Sequence, residues 1–327
     1  WFMNDGDKET GNDTLHCGDR GASVTIVNTG AQAGVEKILC VGRGHHVTTF
    51  VGPTAQMPDL PRRAFVSNLM DGSISVVGND PADAATFLQV IDTINLCEPE
   101  KEDDGQAKIP NNAFPHGMQF SPVTGRLYNL NNGYKTVAVI DPRTNTIEKR
   151  IPLAVSSNLL LSPDGRFLIG KGADRKDDPD HVIGRLSVID VEKGEVVQTL
   201  DLPDVYPSTY RFSPGGDKLY VTTATTGKGT QRDNLIKDTL YVYDTSALPA
   251  LKPAKAIKVG LAECGRRPIG YVADGDRVSR VFVPNPTDGT VSVLNGAAEA
   301  VLETVTVGEP NVAEFSFLFW DEQLSAC

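Results

Sequence analysis

The sequence lacks any apolar run approaching the roughly 18 residues a membrane-crossing helix needs, so no transmembrane helix is expected. It also lacks a basic excess. Its 31 lysines and arginines face 42 aspartates and glutamates, a formal net charge of −11. Such a balance excludes non-specific nucleic-acid binding, which needs cations against phosphate, and eases approach to positively charged proteins. Its five cysteines never form CxxC, which argues against a zinc ribbon or a thioredoxin-like dithiol; without CxxCH there is no covalent c-type haem. No nucleophile elbow, phosphate-cradling glycine loop or zinc-protease helix motif occurs. The glycines punctuate turns.

What the sequence has is self-similarity. A short apolar strand ends in a turn at MQFSPVTG (118–125), LLLSPDG (159–165) and YRFSPGG (210–216). Proline presets φ for a tight turn and glycine accepts φ > 0. A second strand follows at once, as RLYNL, RFLIG, KLYVT and RVFVP from Arg126, Arg166, Lys218 and Arg280. The third strand is the clearest repeat: ASVTIV, GSISVV, KTVAVI, GRLSVI, DTLYVY and GTVSVL, starting at 22, 72, 135, 184, 238 and 289. Its alternation suits a half-buried strand. The fourth is more polar, as in TIEKRIP and EVVQTLD. Six copies about 50 residues apart predict an all-β chain, one closed β-propeller of four-stranded blades over 1–327, with seven blades left open. Trp1–Asn4 reads as a second strand without its first. Asn311–Trp320 (NVAEFSFLFW) is expected to supply that strand, making blade one a composite of both ends.

The strings SPDGRFLI and GRLSVIDVEKGEVV resemble the YVTN β-propeller repeat, best in blades three to five and least in blade one. The resemblance spans nearly the whole chain and specifies fold far better than function. Relatives implied by it include lactonase-like propellers, non-catalytic propeller subunits of periplasmic redox enzymes, surface-layer proteins and copper enzymes with propeller domains.

In such a blade the connections and the loops between second and third strands gather on one face, and all five histidines map there. The long loops Asp5–Gly21, Cys97–Ala113, Gly172–Gly184 and Thr225–Asp238 gather there too; such loops on a rigid scaffold are where binding usually resides. Aligning the first strands on their turns superposes His46, His116, Ser157, Ser208, Pro268 and Asn311, expected around the channel mouth. His46 and His116, with His45 as a third ligand, could hold one copper-like or other transition-metal ion; the structural alternative is that they cap backbone groups. Glu98, Glu100, Glu102, Asp103 and Asp104, like Asp174, Asp177, Asp178 and Asp180 beside His181, attract the thought of calcium but read as solvated acidic loops. Arg266 and Arg267 could hold a carboxylate or phosphate bidentately, or offset the acidic loops. Cys17, Cys40, Cys97, Cys264 and Cys327 allow two disulfides and a free thiol, or none.

These observations give three functional readings. The leading one is an exported, periplasmic or extracellular propeller that works through protein contacts, as a non-catalytic subunit of a redox enzyme complex. A start at Trp1 fits removal of a leader. The alternatives are a mononuclear metalloenzyme at His46 and His116, flanked by Arg267, and a lactonase-like hydrolase using the channel mouth.

Overall fold

Each repeat folds into one antiparallel sheet. The computed structural model describes residues 1–4, 17, 22–30, 32–227, 229–262, 267–296 and 300–310, with only the backbone for His45 and His46. Blade one contains β1 (Phe2–Asn4), β2 (Ser23–Asn28) and β3 (Gly34–Cys40). Blade two runs β4 (His45–Val51), β5 (Arg63–Asn68), β6 (Ser73–Gly78) and β7 (Val90–Asn95); blade three β8 (Pro115–Ser121), β9 (Arg126–Asn131), β10 (Thr136–Asp141) and β11 (Thr146–Pro152). Blade four is β12 (Asn158–Leu161), β13 (Phe167–Asp174), β14 (Ile183–Asp190) and β15 (Glu195–Pro203). Blade five is β16 (Pro207–Phe212), β17 (Lys218–Thr223), β18 (Thr239–Asp244) and β19 (Lys252–Lys258), and blade six β20 (Gly270–Asp274), β21 (Arg277–Asn285), β22 (Thr290–Asn295) and β23 (Ala300–Thr306). Sheet order follows chain order in all six, five of them four-stranded. The fold is an all-β propeller of six described sheets. The strand foreseen at Asn311–Trp320 to complete blade one lies outside the described residues. The chain divides into two compact units, Trp1–Leu159 and Leu160–Cys327.

The turn chemistry explains the Ser-Pro strings. In blade four the Ser162 hydroxyl donates to Asp164 at 2.6 Å and accepts the Phe167 N–H at 2.9 Å, while Gly165 turns the chain at φ 75°. Ser213 and Asp217 repeat the pairing in blade five at 2.7 Å. A left-handed residue is required there, and glycine adopts it without strain.

A second device, an asparagine closing the second strand, recurs in three blades. Asn68 Nδ2 donates to the Ser73 and Ser75 hydroxyls, both at 3.0 Å. Asn285 does the same to Thr290 and Ser292 at 3.0 and 2.9 Å, and Asn4 to Ser23 and Thr25 at 3.2 and 2.7 Å. The hydroxyls stand two residues apart on the third strand, hence on one face of the sheet, so one amide spans both. Blade three departs from this pattern: the Thr136 hydroxyl turns away to Glu98.

The core follows from blade packing. β6 is buried at every residue, because a third strand is covered on both faces by neighbouring sheets. In the first unit Phe65, Ile74, Val76, Leu127, Ala138 and Ile140 share one cluster. In the second, Ile169, Leu186, Val188, Leu219 and Val221 share another. The outer strand of every blade carries a bulge at one repeat position, for example between Val139 and Ile140 and between Val293 and Leu294. A bulge there twists the edge away from foreign strands.

Candidate functional site

Three of the first strands begin irregularly, and in the same way. In β4, His45 stands opposite Asn68 and Thr48 opposite Val66, so His46 and Val47 together face Ser67. In β16, Ser208 and Thr209 face Thr222 between the pairs Pro207–Thr223 and Tyr210–Val221. In β8, His116 is the extra residue between the pairs Pro115–Asn131 and Gly117–Leu130. A hydroxyl on the second strand holds two of these bulges. Ser67 Oγ accepts the Val47 N–H at 3.0 Å and Thr222 Oγ1 the Thr209 N–H at 3.0 Å. A bulge re-aims the side chain it carries, a device frequent beside functional sites.

β4 and β8 lie side by side, with Thr49 Oγ1 donating to the Met118 carbonyl at 3.1 Å. The backbones of His46 and His116 therefore occupy matching bulges on adjacent blades. The side chains of His45 and His46 lie outside the description, as do Asn311 and Arg266. His116 and Ser157 are half-buried and Ser208 is buried. Two residues before the aligned position stand Phe114 and Val155, at φ 46° and 52°. A bulky or β-branched residue in the left-handed region is strained, by about 1–3 kcal/mol. Among the described residues, no three His, Cys, Asp or Glu side chains are grouped to hold a metal.

The insertion between blades two and three is not the solvated acidic loop expected from its sequence. Glu98 and Glu102 are buried. Glu98 accepts the Thr136 hydroxyl at 2.5 Å and pairs with Lys101 at 2.6 Å and Arg150 at 3.2 Å. Glu102 accepts the Tyr134 hydroxyl, the Asn112 N–H at 2.9 Å and Asn112 Nδ2 at 3.2 Å, with Lys108 at 3.3 Å. The Tyr134 hydroxyl in particular holds the Glu102 carboxyl below the ordinary glutamate range, whereas burial and that same bond push the Tyr134 phenol well up. Buried carboxylates survive only when paired and hydrogen-bonded. Their partners Tyr134, Thr136 and Arg150 belong to blade three, so the insertion is fastened to it. Glu100, Asp103 and Asp104 remain exposed. So do Ile109, at 45%, and Phe114, at 37%.

The second acidic loop is organised differently. Gln231 Nε2, on the short helix α1 (Thr230–Asn234), donates to the carbonyls of Arg175, Asp178 and His181 at 3.2, 2.5 and 3.4 Å. His181 Nδ1 meets Asp204 Oδ1 at 2.8 Å, and that carboxylate raises the imidazole pKa. Arg267 is wholly buried, not at a surface where it would offset acidic loops. Of the cysteines, Cys17 and Cys40 form a disulfide and Cys97 is a buried free thiol; Cys264 and Cys327 lie outside the described residues. Tyr134, Thr136, Arg150 and Gln231 were invisible in the sequence as partners, since nothing in their local pattern marks them.

No protein-family model matches the chain, and no curated protein matches it significantly. Solved structures do share its fold. A structure of Kuenenia stuttgartiensis hydrazine synthase superposes with a TM-score of 0.59 at 16% identity, over 90% of this chain and 82% of that one. A Bacteroides uniformis protein provisionally assigned as a 6-phosphogluconolactonase gives 0.58 at 14% identity, over 94% and 82%. A Bacteroides fragilis protein with the same provisional assignment gives 0.56 at 15%, over 89% and 79%. At these identities the likeness establishes the β-propeller fold and nothing finer.

Proposed function

We propose that the chain is an exported YVTN-type propeller that works through protein contacts, as a non-catalytic subunit of a redox enzyme assembly. The observation that carries this reading is the insertion Cys97–Ala113. Two buried carboxylates fasten it rigidly to blade three, and it ends on Phe114, whose exposed ring sits on strained backbone. A protein maintains such strain where the surrounding structure and its use require it, and a fixed apolar tip among charges is what a partner surface needs. The Cys17–Cys40 disulfide fits an oxidising compartment. Propellers similar to this one occur in a hydrazine synthase structure, which supports membership of an assembly, and in provisionally assigned lactonases, which supports hydrolysis as the rival.

The test is to isolate the tagged chain from its own host and crosslink it through lysines. A complex well above 35.1 kDa, with crosslinks from Lys101, Lys108 or Lys135 and loss of the complex in Ile109→Asp/Phe114→Asp, is expected. A monomer that turns over simple lactones with kcat/KM above about 10⁴ M⁻¹s⁻¹ refutes it in favour of the hydrolase. A second reading, a metal ion held by His46 and His116, has the matching bulges of β4 and β8 in its favour. Near-stoichiometric metal in native protein, lost in both His46→Ala and His116→Ala, is its signature.

A further inference from the structure

The second unit contains a buried cation that uses less than half of its hydrogen-bonding capacity. Arg267 has no exposed surface and is the largest fully buried side chain described. Nη2 donates to the Gly260 carbonyl and to Asn285 Oδ1 at 3.3 Å, whereas Nε and Nη1 meet no acceptor among the described residues. Blade two shows how the fold satisfies the corresponding neighbourhood. There Gly42 is pressed against Asn68 as Gly260 is against Asn285, and Arg43 Nε pairs with Asp71 at 2.8 Å. In blade six the residue after the glycine is Leu261. Its N–H takes Asp288, the counterpart of Asp71, at 2.7 Å. Asp238, the other nearby carboxylate, is held by Lys258 at 2.6 Å. Both act on Arg267 only at longer range, and burial lowers its pKa to about 10, leaving it charged at neutral pH. A buried guanidinium without a contacting counter-charge is costly to the fold.

We propose that Arg267 is the core of an enclosed site for a halide-type monoanion at the leading end of blade six. The geometry sets the class of ligand. A carboxylate or phosphate grips arginine through two parallel N–H groups, either Nε with Nη2 or Nη1 with Nη2. Nη2 belongs to both forks and both its hydrogens are engaged by Gly260 and Asn285. Neither fork is intact, so bidentate oxyanion recognition is disfavoured. What remains is the Nε hydrogen on one side and the two Nη1 hydrogens on the other, separate donors that suit a spherical ion taking single hydrogen bonds. Charge agrees: Asp238 and Asp288 reach Arg267 only at longer range, so the guanidinium can take one contacting negative charge, whereas a dianion is opposed by both carboxylates. Position gives the site a consequence. The Thr222 hydroxyl bridges the Arg267 and Thr209 carbonyls at 3.0 and 3.2 Å, so filling the site steadies the bulge that carries Ser208.

The experiment is thermal unfolding of the whole chain at constant ionic strength, with chloride exchanged stepwise for the bulky anion isethionate. The midpoint is expected to be about 3 °C higher in chloride, saturating with concentration, and the difference to vanish in Arg267→Met. An identical wild-type midpoint in both salts overturns the proposal, as does a full chloride response in the variant. Should Arg267→Met fail to fold, wild-type crystals soaked in bromide decide it. An anomalous peak within roughly 3.5 Å of Nε or Nη1 is expected, and bromide found only at the outer surface overturns the site.

Discussion

Replacing Glu98 tests whether the insertion is fastened to blade three by its carboxylates. Glu98→Ala removes the acceptor of the Thr136 hydroxyl and the partner of Lys101 and Arg150. Bonds to charged groups contribute about 1.5–3 kcal/mol each, but Lys101 and Arg150 are partly exposed and recover hydration when freed. Thr136 is buried and recovers none. Returning the carboxylate's own desolvation cost offsets part of the loss. The net falls near 3 kcal/mol, which corresponds to roughly 150-fold more frequent opening of the insertion. Hydrogen exchange followed by mass spectrometry across residues 97–113 reads this directly. Exchange there is expected to accelerate by about two orders of magnitude, with β13 and β14 in the other unit unchanged. Glu98→Gln keeps the acceptor for Thr136 but not the charge, and falls between. If exchange in 97–113 changes less than threefold in Glu98→Ala, the carboxylate is not what holds the insertion.

Asn68→Ala leaves the Ser73 and Ser75 hydroxyls without their donor and is expected to cost about 2 kcal/mol in urea unfolding, with a coupling near 1 kcal/mol to Ser75→Ala in a double-mutant cycle. The lowered Glu102 pKa makes its contribution complete above the unfolded value of 4.5 and lost as pH falls through the folded value. Amide protection in 97–113, corrected for intrinsic exchange, should therefore weaken below about pH 4.5, and less so in Glu102→Gln. His181 runs the other way. Its pKa is raised, so its tie to Asp204 is complete below 6.5 and fades as pH rises through the folded value; protection of 174–182 should follow. Reducing the Cys17–Cys40 disulfide, which closes a 23-residue separation, is expected to destabilise the first unit by about 2–4 kcal/mol, measured by unfolding with and without reductant.

The fold was legible because its determinants are local and repeated. Ser-Pro-Asp-Gly reports a turn whose hydroxyl, carboxylate and left-handed glycine all lie within four residues. The third strand's alternation survives in six copies. The asparagine clamp was in principle readable as well, since Asn68-x4-Ser73-x-Ser75 and Asn285-x4-Thr290-x-Ser292 are one pattern. The insertion was misread because composition cannot distinguish a carboxylate that meets Thr136 and Arg150, 38 and 52 residues away, from one that meets water. Arg267 shows the same limit. Its sequence neighbours suggest a surface pair of arginines, but burial under Gly260 and Asn285 depends on a connection returning across the blade.

The repeats also show where this chain departs from regularity. The outer bulge occupies one position in all six blades, so it belongs to the fold itself. The bulges that lead β4, β8 and β16 occupy equivalent places too, but their contents differ: histidines in blades two and three, a buried serine in blade five. The clamp fails in blade three alone among those ending in asparagine: Ala138 stands where the second hydroxyl would be, and Thr136 donates to the Glu98 of the insertion. Asn131 Nδ2 is left without a hydrogen-bond partner among the described residues, a cost of about 1–3 kcal/mol for a buried donor. Blade three thus makes two concessions beside one loop: it gives up part of its own sheet chemistry, and it places a phenylalanine where blade two has the left-handed Gly44. The clamp survives in blades two and six, and the left-handed position recurs at Val155 in blade four, so the clamp's loss rather than the strain is peculiar to blade three. The function of this propeller is best sought where both concessions meet, at the loop ending on Phe114 and the bulge carrying His116.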